Sequence, residues 1–173
     1  MRVLPLRSRT VLTISFAAAC AAVTVLSPDW RSALQAQTYY RNNLRMTGSG
    51  TIGDGKAKHG FELHCDPRQG PNTLEINWGT GNTFHLDRLT RASCTDDPTL
   101  VPNPPRAGFD TYDGSGTGRL NGKPATAEWT FTDAGEPGTQ DFADIVVTDS
   151  SGNTFSVSGF LSRGNQQALG DHR

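Results

Sequence analysis

The chain has 173 residues, 16 of them basic and 17 acidic, for a net charge of −1 with neutral histidines. Four of the basic and one of the acidic residues lie within positions 1–36, which leaves 12 against 16 beyond them, a charge of −4. That balance excludes a basic field for nucleic acid or anionic lipid, and 19 glycines with 10 prolines favour short, turn-bounded strands over helices in a single domain.

Residues 1–36 read as a signal peptide. Arg2, Arg7 and Arg9 precede an uncharged apolar run from Val11 to Leu26, and Ala36 supplies a small residue for cleavage. An uncleaved anchor and lipidation at Cys20 are the alternatives, although the run continues past that cysteine. No second apolar segment is long enough to span a bilayer. The expectation is therefore an exported protein with no membrane span after cleavage, a flexible lead-in over 37–45 and one all-β domain over 46–173.

The strands follow in order. Met46–Ile52 is a weak first strand, ended by a turn at Gly53–Lys56. Lys58–Cys65 alternates Phe61, Leu63 and Cys65 with Glu62 and His64. Asn72–Trp78 turns Leu74, Ile76 and Trp78 inward and Glu75 and Asn77 outward. Thr83–Cys94 places Phe84 and Leu86 inward and His85 outward, and its period blurs near Arg88–Leu89, where a bulge is expected.

Asp96–Pro105 carries four prolines and cannot be a central strand, so it is expected to cross between sheets or edges. Phe109–Tyr112 and Gly116–Leu120 form a glycine-rich strand, where a bulky neighbour such as Trp129 is expected to lie across the backbone. Tyr112 is off the parity of Phe109 and is expected to be exposed. Asn121–Gly122 is the strongest hairpin signal. Ala125–Thr132 alternates Ala127, Trp129 and Phe131 with Glu128, Thr130 and Thr132. A loop over 133–140 leads to a strand over Asp141–Val147. Thr154–Leu161 follows, with Gln166–Leu169 as a short last strand or tail. The architecture expected is an antiparallel β-sandwich or flattened barrel of about eight or nine strands.

Two cysteines, Cys65 and Cys94, remain in the exported part, and two thiols in such a chain read as one disulfide. A zinc site made with His64 and His85 is the rival, but there is no Cys-x-x-Cys.

Several of these segments together resemble a family of small exported bacterial modules known as post-COAP domains. They are Gly55-Lys56-Ala57 with Gly60-Phe61, Leu74–Gly79, Gly108–Tyr112, Glu128–Asp133, Gly135-Glu136-Pro137-Gly138 and Gly164–Ala168. The resemblance implies an exported all-β domain and carries no established activity. The chain departs from the pattern at Leu169, where a histidine is usual. His172 lies beyond it.

Three groups of residues are candidates for chemistry. Asp133, Glu136 and Asp141 offer hard oxygen ligands at a glycine-bearing turn, which suits calcium, but their spacing matches no EF-hand. Solvated or backbone-capping acids are the plainer alternative. Glu62, His64, Glu75 and His85, with Asn77 and Asp87, share an outward parity and would serve a metal-dependent or carboxylate-based hydrolase if they converged. Trp78, Trp129 and Tyr112 would stack a sugar if exposed, but the tryptophans fall on inward positions. There is no nucleophile elbow, His-Glu-x-x-His or phosphate loop. The expectation is a non-enzymatic binding or structural module without a cofactor, with a protein or carbohydrate as partner.

Overall fold

The computed structural model describes residues 44–102 and 105–170. The signal segment, positions 37–43 of the lead-in and His172 lie outside the described residues.

Eight antiparallel strands form one closed barrel in sequence order. They are β1 (Arg45–Ile52), β2 (Ala57–His64), β3 (Thr73–Trp78), β4 (Asn82–Thr95), β5 (Thr111–Leu120), β6 (Lys123–Thr132), β7 (Phe142–Asp149) and β8 (Thr154–Leu169). Each strand pairs with the next, and β1 closes the ring against β8. The proline-rich segment does not cross between sheets. It joins neighbours β4 and β5 around one end of the barrel, because sequential strands pair directly. The expected tail is also revised. β8 is one continuous strand of 16 residues that bends where Ser162 is the extra residue against β1.

The interior is packed with side chains, as an eight-stranded ring permits. Ile76, Phe84, Tyr112, Phe131, Ile145 and Leu63 are fully buried within it. Three glycines make room for the large rings. Gly114, Gly116 and Gly118 form the bare inner face of β5, and a Cβ on Gly114 would lie 2.5 Å from the Trp129 indole. Tyr112 shares that inner face and is buried, contrary to the exposure expected. Phe109 and Asp110 precede the strand, so the alternation restarts at Thr111, and the Tyr112 hydroxyl donates to the His64 carbonyl at 2.9 Å.

Bulges set the course of β4. The register against β5 shifts between Leu86 and Arg88 and again between Leu89 and Arg91. The inward positions consequently run Phe84, Leu86, Leu89, Ala92 and Cys94. The strand bends away from β3, with which it pairs only from Asn82 to His85. Its far end is tied to the end of β2 by Cys65–Cys94, paired at disulfide distance with Cα atoms 5.7 Å apart.

The two ends of the barrel differ. One carries the tight turns, including Asn121–Gly122, where φ of 51° and 80° gives the two-residue primed turn expected there. Trp78 and Phe155 stack at that end, with ring centroids 4.3 Å apart. The other end carries the three long connections, 65–72, 96–110 and 133–141. Among the described residues no helix is long and apolar enough to cross a membrane.

Candidate functional site

The acidic loop between β6 and β7 has a structural task. β7 pairs with β8 only from Thr154 to Phe160, so the second half of β8 has one edge without a strand. Carboxylates occupy that edge. Asp141 Oδ2 accepts the Gln166 N–H at 2.6 Å, and Asp133 Oδ2 accepts the Ala168 N–H at 2.8 Å. These two N–H groups are two residues apart and so face the same side of the strand. The other oxygens fold the loop itself, Asp141 Oδ1 taking the Ala134 N–H and Asp133 Oδ1 the Gly135 N–H. Glu136 Oε1 accepts from the Asn165 side chain at 2.9 Å. Gly138 presses against Gly164 and Asn165, where a Cβ would collide with both. The Gly135–Gly138 loop and the Gly164–Ala168 tail therefore touch.

Asp141 is fully buried, and burial pushes its carboxyl up to about 6 against the pull of its two backbone donors. Asp133, Glu136 and Asp141 thus lie together in one loop. Among the described residues no three His, Cys, Asp or Glu side chains gather closely enough to hold a metal ion.

Beside this loop is a cavity of about 180 Å³. Leu100, Pro105 and Ala107 of the β4–β5 connection wall one side, and Ala134, Glu136 and Ala168 wall the other. Phe109 and Asp110 also line it. Asp110 stands in the Gly108–Tyr112 motif and carries no sequence signal of its own. Only 2% of it is exposed. Its Oδ1 accepts the Asp97 N–H and the Thr111 hydroxyl, each at 2.9 Å, while its Oδ2 is buried without a hydrogen-bond partner among the described residues. Burial raises the Asp110 carboxyl, and the nearby Asp96 and Asp97 add to the rise. Its backbone joins the surrounding elements, since Asp110 N–H donates to the Thr95 carbonyl and Asp133 N–H to the Asp110 carbonyl.

The outward set from β2, β3 and β4 divides into separate groups. Glu75 and His85 are cross-strand partners, with His85 Nδ1 3.4 Å from Glu75 Oε2. Asn77 donates to Glu75 and accepts from Thr83, each at 2.7 Å. Glu62 stands two positions along and faces Arg45 at 3.7 Å. Asp87 pairs with Arg119 at 3.0 Å. His64 is buried despite its outward parity, because the β2–β3 loop folds back and Asn72 Oδ1 accepts its N–H at 2.7 Å. An open groove of about 600 Å³ runs past Lys58, Thr73, Glu75 and His85. It is larger than the cavity at the loop end, and on its wall Glu75 is engaged by Asn77 and His85.

His59 lies inside the barrel, as its shared parity with Phe61 implies. It stacks on Phe61 and Phe131, and its Nε2 is 3.2 Å from Gln166 Nε2. Burial lowers its pKa to about 4, so the ring is neutral at pH 7.

These features define an eight-stranded up-and-down barrel with a filled interior and a cavity at its loop end. Compared with protein families, with curated proteins and with solved structures, the chain gives no match.

Proposed function

We propose that the protein is an exported, non-enzymatic module that holds a ligand at the loop end of its barrel. The observation that carries this reading is the difference between the two ends. Tight turns and the Trp78–Phe155 stack close one end, while long connections surround a cavity with a buried acidic residue at the other. Binding surfaces tend to sit on such loops over a rigid scaffold. The Cys65–Cys94 pairing favours an oxidising compartment, in keeping with the arginine-led apolar segment at the start of the chain. The resemblance to post-COAP domains belongs to the same proposal, and the contact between its two most specific motifs supports it.

Amide chemical-shift mapping against a set of small neutral and charged fragments tests the reading. Saturable shifts at Phe109, Asp110, Ala134 and Ala168 are expected. Shifts confined to the β2–β4 groove, or none at all, would overturn it.

A further inference from the structure

We infer that the groove across the outer face of β2, β3 and β4 takes a neutral oligosaccharide, with one sugar ring seated over Gly60. This is a second surface, separate from the loop-end cavity. Gly60 is the starting point. Among the described residues it is the one glycine inside a strand that has an ordinary φ and room for a side chain, since an added Cβ would meet only Ser49 Cβ, at 4.0 Å. Every other strand glycine has either a neighbour within 3 Å of that position or a positive φ. A glycine in mid-strand weakens the strand, and where packing does not require it, it marks a place that something approaches closely. Side chains on one face recur about every 7 Å along a strand, so the gap between Lys58 and Glu62 is roughly 13 Å, wide enough for a pyranose ring.

The floor of the groove suits hydroxyl groups. Gly60, Glu75 and His85 stand in one cross-strand row, and Lys58, Asn77 and Thr83 in the next. Thr83 donates to Asn77, Asn77 donates to Glu75, and Glu75 faces His85, which holds these side chains in place. The second amide hydrogen of Asn77, the His85 Nε2 and further lone pairs of Glu75 stay available. Lys58 adds three donors and pairs with no acid among the described residues. Donors and acceptors thus lie side by side, and a sugar hydroxyl both donates and accepts. Glu75 disfavours an anion, Lys58 disfavours a cation, and no metal-binding trio gathers among the described residues. The groove, about 600 Å³, shares Lys58 and Asn77 with a hollow of about 200 Å³ beside Trp78, which gives a chain of sugars room beyond the first ring.

The test follows amide shifts and melting temperature of the disulfide-linked protein with four probes, cellopentaose, N-acetylchitopentaose, glycerol and trigalacturonate. At least one of the two neutral oligosaccharides is expected to shift Gly60, Glu75, Asn77 and His85 saturably, and to bind at least about tenfold more tightly than glycerol or trigalacturonate. Gly60→Thr fills the hollow with a residue favoured in strands. It is expected to keep or raise the melting temperature while weakening the oligosaccharide at least about tenfold. Asn77→Ala, which breaks the row of side chains, is expected to weaken it severalfold. A Gly60→Thr variant that binds as well as the wild type overturns the inference, as does tighter binding of trigalacturonate. Sugar-induced shifts only at Asp110, Ala134 and Ala168 overturn it and leave the loop-end reading standing. If neither neutral oligosaccharide binds, the inference falls whatever the fragments do at the other end.

Discussion

The side chain of Asp141 accepts the backbone N–H of Gln166 at 2.6 Å, from a loop to the edge of a strand that β7 no longer covers. Together with Asp133 on Ala168, it substitutes for the strand that β7 does not extend to provide. Open edges are sites of unwanted pairing between chains. The acids of the β6–β7 loop therefore stabilise the barrel and shield it.

Replacing Asp141 by asparagine turns an amide NH2 toward one of the two backbone donors it now serves. A loss of about 1–3 kcal/mol at pH 7 is expected by urea denaturation. The folded carboxyl titrates near 6, above its ordinary value of 3.8, so the folded state binds the proton more tightly. Acidification from about pH 6 to 4 then favours the folded wild type through this group. The stability difference between wild type and Asp141→Asn should widen over that range, and a constant difference would contradict the assignment.

His59 acts in the opposite direction. Its folded pKa, about 4, lies below the ordinary 6.5, so below pH 6.5 the unfolded chain takes up a proton that the folded chain refuses. Its stabilisation is complete above pH 6.5 and is lost as the pH falls toward 4. His59→Phe keeps a ring between Phe61 and Phe131 and removes the titration. The wild-type advantage over this variant should shrink by about 2–3 kcal/mol between pH 7 and 4.5. Parallel pH profiles would show that the ring is not buried as described.

Gly114→Ala forces a methyl group against the Trp129 indole. A destabilisation of about 1–3 kcal/mol is expected, whereas Thr117→Ala on the exposed face of the same strand should change stability by less than about 0.5 kcal/mol. Similar midpoints for the two variants in urea would contradict the close approach of ring and backbone.

Removing the Cys65–Cys94 link by changing both residues to serine should cost roughly 3.5 kcal/mol, since the bond closes a loop of 29 residues. Wild-type protein in strong reductant should unfold at the same urea concentration as the double variant. Thiol labelling of the oxidised wild type should find neither cysteine free.

Much of the barrel wall is legible in the sequence. Ala127, Trp129 and Phe131 alternate with polar residues in a strand buried on one face only, so local pattern and final environment agree. The glycines of β5 announced a bulky neighbour, and the blurred period of β4 marked its bulges. Closure was not legible. Met46–Gly50 has few apolar residues, and its pairing with β8 is a backbone matter between distant segments. The parity of Phe109 does not carry over to Tyr112, because Phe109 precedes the strand. The outward parity of His64 is correct, but a loop covers it. The spacing of Asp133 and Asp141 shows two acids near one turn, but it does not reveal that distant N–H groups use their oxygens. Asp110 has no local signal, because its burial and the lack of a donor for its Oδ2 among the described residues are set by distant segments.

The seam between β1 and β8 bears on how the molecule is made. Met46 faces Ala168 and Thr47 faces Gln167, so β1 must wait for β8, synthesised about 120 residues later, before the ring can close. Closing so long a loop makes the final pairing a late event in folding. It also sets the two ends of the domain side by side, which makes the barrel a good subject for circular permutation. A version joined across the seam and opened at Asn121–Gly122 should keep its fold and close sooner, as stopped-flow refolding would reveal.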